Sequence, residues 1–248
     1  DTLAALPAQV AGVSLLPVYS LVVAVSCSAG VAALYSLYGE LYPYRIPIAL
    51  LFIAIIAFGN LRGVKESGRL FAVPTYSFVV AMALMVGYGI YKAAFGSGLE
   101  PVELNAEQMH EAAGTAGVGW FIVLHAFASG GAAVTGVEAI SNGVPAFKEP
   151  SWKNASQTLV IMGSLLGAMF LGISWLATQV KAIPVADETV IAQIAQAVYG
   201  DSGFGHAMFF FTQIATMLIL VLAANTGFAD FPRLASFQAE DAFLPRQL

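Results

Sequence analysis

The residue in this sequence with the most chemistry to offer is a glutamate inside an apolar run. Glu138 lies in the stretch 121–154, FIVLHAFASGGAAVTGVEAISNGVPAFKEPSWKN, with Thr135, Gly136, Ser141, Asn142 and Gly143 around it. A carboxylate near mid-bilayer depth costs about 3 kcal/mol or more unless it faces protein or a water-filled cavity, so its presence there points to a function. Thr135 and Glu138 are three residues apart and share one face of a helix. Gly136 and Gly143 allow the backbone between them to leave helical geometry. An opened turn exposes carbonyls. With the Thr hydroxyl and the Glu carboxylate, they form a set of hard oxygen ligands for a small cation, helped by the dipoles of two half-helix ends. Removal from water favours the neutral form of a carboxyl, so Glu138 can also load and release a proton near physiological pH. The competing reading makes Glu138 a structural bond to a neighbouring helix. The coincidence of acid and helix breakers favours function.

Other polar residues carry less information. Ser26 and Ser28 could supply hydroxyl ligands from an earlier span, although serines in membrane helices often bond back to their own backbone. His125 reads as a boundary residue that snorkels to the interface, and His110 and His206 as loop or boundary residues. Asn225 and Thr226 read as caps closing the last span. Asp230 and Arg233 follow as candidates for an inner gate. Cys27, the single cysteine, reads as a small packing residue. There is no Walker loop, HExxH, GxSxG or dinucleotide-binding glycine fingerprint in the sequence, so no enzyme or ATP-driven mechanism is expected, nor any cofactor beyond the transported ion.

These residues need a membrane around them. The chain is 58% hydrophobic and 10% charged, with a mean hydropathy of +0.79. Soluble domains run at about 25% charged, and this chain cannot hide so much apolar surface by folding on itself. A net charge of −5 with no basic patch gives nucleic acid no foothold. The fold class is therefore all-α and polytopic, in a single transmembrane domain over residues 1–248 with no soluble domain. The chain begins at Asp1 rather than at a methionine, and both ends read as those of a portion of something longer.

Six spans of the length needed to cross a bilayer core of about 30 Å are expected. After a connector over residues 1–12 they cover about 13–37, 46–60, 70–95, 118–147, 157–180 and 206–228, with Pro17, Pro47 and Pro74 near three of the starts. Ser26, Ser28, Ala29, Gly30, Ala32 and Ala33 give the first span a small-residue surface for close helix approach. The motif ETVIAQIAQAVYG suggests a short interfacial helix lying along the membrane. Arg62, Lys65, Arg69, Lys148, Lys153, Arg233 and Arg246 fall on one side, and only Arg45, Lys92 and Lys181 on the other. The first side is cytoplasmic by the positive-inside rule, which places both ends of the chain inside.

TGVEAISNGVPAFKEP with the following WKNA, and later ANTGFADFPRLASFQAEDAFLPRQL, resemble the amino acid–polyamine–organocation (APC) permease superfamily. The nearest branch is that of the proton-coupled potassium importers of the KimA and KUP type, which LYPYRIPIAL and NLRGVKESGRLFAVPTY also fit. The resemblance implies a LeuT-type inverted-repeat fold, with the six spans as family helices three to eight and the stretch around Glu138 as the broken sixth. It implies a secondary transporter, with Thr135, Glu138 and Ser26 lining a K⁺ site and Gly136, Ser141, Asn142 and Gly143 as the unwound hinge. Val22 stands where that branch carries a second hydroxyl. Amino acid permeases of the same superfamily are the alternative, and a passive cation channel the remote one. The expected partners are the lipid bilayer of a bacterial plasma membrane, a small cation or amino acid, and a second copy of the chain as a homodimer.

Overall fold

The computed structural model of this chain describes residues 5–62, 68–96, 98–102, 119–131, 144 and 147–240, and at some helical positions, Asp230 and Arg233 among them, the backbone alone. The described residues are helical with short connections. The helices are α1 (Ala5–Tyr35), α2 (Arg45–Leu61), α3 (Gly68–Phe95), α4 (Trp120–Gly131), α5 (Ser151–Val180), α6 (Val190–Tyr199) and α7 (Gly203–Glu240), with a 3₁₀ turn over Gly39–Tyr44. α5 ends at Lys181, whose φ of 55° is left-handed, and α6 ends at Gly200 with φ 66°. At the start of α6 the Thr189 hydroxyl accepts from the Ala192 amide at 3.2 Å, a capping contact that fixes where the helix begins.

Among the described residues, five helical segments are long and apolar enough to cross a membrane: Pro17–Tyr35, Gly39–Leu61, Phe71–Phe95, Ser151–Val180 and Gly203–Phe228. The sixth expected span is described only over α4, because residues 132–143 lie outside the described set. Three expectations change. The connector expected before residue 13 is helical from Ala5, so Pro17 sits inside α1 at the loss of one backbone bond. The last span runs on as helix to Glu240 through Pro232, so Asn225 and Thr226 lie within α7 and cap nothing. And α6, expected as a helix with its apolar stripe toward the membrane, turns that stripe into the protein: Ala192, Gln193, Ile194, Ala195, Val198 and Tyr199 are all buried.

Residues buried in this way form the main core. Ala81, Met82 and Met85 of α3 meet Leu176 and Val180 of α5, Ile194, Ala195, Val198 and Tyr199 of α6, and Ala215 of α7. A smaller cluster of Cys27, Ile56 and Ala224 joins α1, α2 and α7. α1 and α7 run antiparallel in close contact. A Cβ placed on Gly30 would lie 3.3 Å from Val221, and one on Gly227 only 2.8 Å from Val23 and 2.9 Å from the Tyr19 carbonyl. Small residues let the two backbones approach where dispersion rather than the hydrophobic effect drives association.

The ends of the bundle are distinct. Tyr35 donates to the Ala186 carbonyl (3.2 Å), the Val102 amide to the Val180 carbonyl (2.9 Å) and Lys92 to the Ala197 carbonyl at the end of α6 (3.0 Å). The ends of α1, α3 and α5 are thus tied together with α6 in the region that bears Glu100, Asp187 and Glu188. The grouping agrees with spans that alternate in direction.

Candidate functional site

Thr135, Gly136, Glu138, Ser141, Asn142 and Gly143 lie outside the described residues, and so do the side chains of Asp230 and Arg233. Ser26 is described. It falls on the α1 stripe Tyr19, Val23, Ser26 and Gly30, at helical spacings of four, three and four. Tyr19, Val23 and Gly30 of that stripe touch α7. Ser26 thus sits half-buried at the α1–α7 crossing, next to fully buried Cys27. Ser28 is two residues on, about 200° around the helix, and is exposed. The structure thus places Ser26, which the resemblance singled out, at the crossing, and Ser28 away from it. His125 is exposed on α4 beside exposed Leu124 and Phe127.

Away from Glu100, Asp187 and Glu188, the bundle is fastened by a polar pair. The Asn60 carboxamide donates to the Ile56 carbonyl at 2.9 Å and to Asn225 Oδ1 at 2.7 Å. The second bond joins α2 to α7 across 165 residues of sequence. Beside it opens a cavity of about 380 Å³ lined by Tyr19, Ser20, Val23, Ile53, Phe228 and Phe231, mostly apolar in character.

At the opposite end, residues 181–189 form a strap between α5 and α6. It is fastened twice. On the α6 side, the fully buried Gln193 accepts from the Ile183 amide at 3.1 Å and donates to the Ile183 carbonyl at 2.8 Å. On the α1 side, Tyr35 holds the Ala186 carbonyl, the Thr189 amide donates to Ser36 Oγ at 3.1 Å, and the two hydroxyls meet at 3.5 Å. Glu188 lies between these last two grips. One of its carboxylate oxygens is buried with no hydrogen-bond partner among the described residues. Burial, with the like charge of Asp187 beside it, pushes the Glu188 carboxyl up to about 7. Ser36 also lines a second cavity, of about 340 Å³, with Gln196, Asp201, His206, Phe209 and Phe210.

Between the two ends, α7 carries buried polar groups. Thr212 donates to the Met208 carbonyl (2.9 Å) and Thr216 to the Thr212 carbonyl (2.8 Å), so both hydroxyl protons are used within the helix. Gln213 is fully buried, and neither of its side-chain polar atoms has a partner among the described residues. Such a group costs about 1–3 kcal/mol until something bonds it.

Sequence reasoning missed the Asn60–Asn225 bond, the strap and the burial of Glu188. Asparagines inside otherwise apolar spans were the available signal for the first. For the strap there was none, because Glu188 reads as one more acid in a polar loop.

Comparison with known proteins adds two findings. The amino acid permease family model matches residues 2–248. The potassium transporter KimA of Bacillus subtilis (strain 168) is 45% identical over 242 residues, 97% of this chain but 38% of that protein. The chain thus spans well under half the length of the relative it matches.

Proposed function

The chain belongs to the amino acid permease family, and on that premise we propose that the complete protein is a secondary transporter importing K⁺ by alternating access, coupled to protons. The observation that carries the substrate is the 45% identity to a potassium transporter along almost the whole chain. The physical chemistry of the sequence agrees. Thr135 and Glu138 supply hard oxygen ligands beside the helix-breaking Gly136 and Gly143. Glu138 can neutralise a bound cation or carry the coupled proton. Ser26 adds a hydroxyl from α1, where it half-faces the crossing with α7. Ser141 and Asn142 belong to the same hinge, and Asp230 with Arg233 would form an inner gate below it. The protein works in the bacterial plasma membrane with its strap facing outward, as a homodimer. It needs no cofactor besides the ions it moves.

The family description favours a second reading, proton-coupled amino acid uptake. One experiment separates the two. The full-length protein in liposomes is offered labelled Rb⁺ under an imposed pH gradient, with a panel of unlabelled amino acids as competitors. Rb⁺ uptake that follows the gradient and ignores amino acids supports the potassium reading. Uptake of an amino acid without Rb⁺ movement replaces it with the second, and Rb⁺ flux indifferent to the gradient points to a passive pore.

A further inference from the structure

We propose that the strap over residues 181–189 is a proton-controlled latch: it grips the end of α1 while Glu188 is neutral and releases it when Glu188 ionises. The inference deepens the transport reading and rests on it for the direction the strap faces. The argument begins with the grips. Two bonds, Tyr35 to the Ala186 carbonyl and the Thr189 amide to Ser36 Oγ, hold the strap to α1 on either side of position 188; the Ser36 hydroxyl proton goes to the Ala32 carbonyl at 2.8 Å, with the Thr189 hydroxyl 3.5 Å away. Between them Glu188 is half-buried, and one of its carboxylate oxygens is buried without any donor among the described residues. A buried acceptor with no donor is tolerable for a neutral carboxyl and costly for a charged one.

Among the described residues, none donates to that oxygen. On the strap itself stands Asp187, of the same sign. From α1 comes Tyr35, a neutral phenol. Beyond it, from the 3₁₀ turn and α2, lie Tyr42 and Arg45, which reach the cluster through their electrostatic interaction with Tyr35. Arg45 is engaged elsewhere: it donates to the Tyr42 carbonyl at 3.3 Å and stacks on the Tyr42 ring at 4.2 Å. Lys181 is exposed at the far end of the strap. From α6 no titratable side chain stands near its first turn.

The sign follows. The latched state holds the carboxyl at about 7, and a released strap returns it to its ordinary value of 4.5. Between those values latching takes up a proton, so the latch is firm at low pH and weakens as pH rises through 7. From pH 6 to pH 8 the latch equilibrium falls by at most about tenfold, less to the extent that solvent reaches the carboxyl. Ser36 belongs both to the grip and to the cavity with Gln196, Asp201 and His206. Release therefore changes the wall of that cavity, which lies on the side the coupled proton comes from.

The test reads the grip directly. In the full-length protein in liposomes, amide hydrogen exchange of peptides spanning the strap is measured from pH 6 to pH 8 and corrected for the intrinsic rate. The Thr189 amide reports the bond to Ser36. Wild-type protection is expected to fall several-fold across this range, and E188Q, which keeps the neutral shape, is expected to hold high protection throughout. S36A, which removes the α1 acceptor, is expected to show low protection at both pH values. Wild-type protection that does not change with pH, or E188Q changing as wild type does, overturns the latch. The exchange readout needs no transport, so a failure of the potassium reading leaves it interpretable. An Rb⁺ uptake profile flattened toward high pH in E188Q would tie the latch to the transport cycle.

Discussion

Asn60 of α2 and Asn225 of α7 are joined at 2.7 Å by a single side-chain hydrogen bond, with the Asn60 carboxamide donating. Interhelical bonds of this kind in membrane proteins average about 0.6 kcal/mol and reach about 1.7 kcal/mol. N60L and N225L are each expected to destabilise the protein in that range. Because both lose the same bond, the double variant should cost less than the sum. Thermal unfolding of the four proteins in detergent, arranged as a double-mutant cycle, measures the coupling, and additive effects would refute it.

At Gly227 the backbone of α7 comes close to α1. A methyl group there would meet Val23 at 2.8 Å and the Tyr19 carbonyl at 2.9 Å, and a backbone oxygen cannot swing aside. G227A is therefore expected to cost about 1–3 kcal/mol through overpacking. Gly163 of α5 has no heavy atom within 4 Å of the same position. G163A should be neutral or slightly stabilising, since alanine is the better helix former by up to about 1 kcal/mol. The pair, compared by melting temperature, separates packing from propensity.

Gln193 holds both polar groups of Ile183 with one side chain. Q193L removes two bonds and strands a backbone amide and carbonyl, at about 2–4 kcal/mol in total. Hydrogen exchange at Ile183 should accelerate before the rest of the bundle loosens. Q196L, an exposed change on the same helix, should leave stability within about 0.5 kcal/mol of wild type.

In the transport cycle, E138Q is expected to abolish uptake in a protein that still inserts and elutes as a single species. Retained uptake would remove the Glu138 carboxylate from the mechanism. S26A should weaken cation affinity about three- to tenfold, the worth of one neutral oxygen contact. S28A, whose side chain points away from the crossing, should match wild type. Concentration-dependent Rb⁺ uptake distinguishes the two serines.

The spans were legible because about twenty apolar residues in a row have few other fates. Their limits were less so. Pro17 was placed near the start of a span and the last span was expected to stop near residue 228, yet membrane helices run through proline when neighbouring groups satisfy the freed carbonyl, as α1 and α7 do here. The helical period of residues 190–199 was visible, but an apolar stripe does not say whether lipid or protein covers it, and here α3, α5 and α7 do. Asn225 looked like a cap because its partner, Asn60, is 165 residues away. Ser26 was singled out as an oxygen ligand by the resemblance, and the contacts of its stripe place it at the crossing and Ser28 away from it. Glu188 read as one more acid in a polar loop until the strap contacts at Ala186 and Thr189 bracketed it.

α7 is continuous for 38 residues, so it is about 57 Å long, nearly twice the thickness of a bilayer core. A rod that long cannot confine its movements to one leaflet. A pivot of about 10° at one tip carries the other through about 10 Å. Its first turns lie beside the His206 cavity and its far half is bonded to Asn60, so one continuous helix joins the two ends of the bundle.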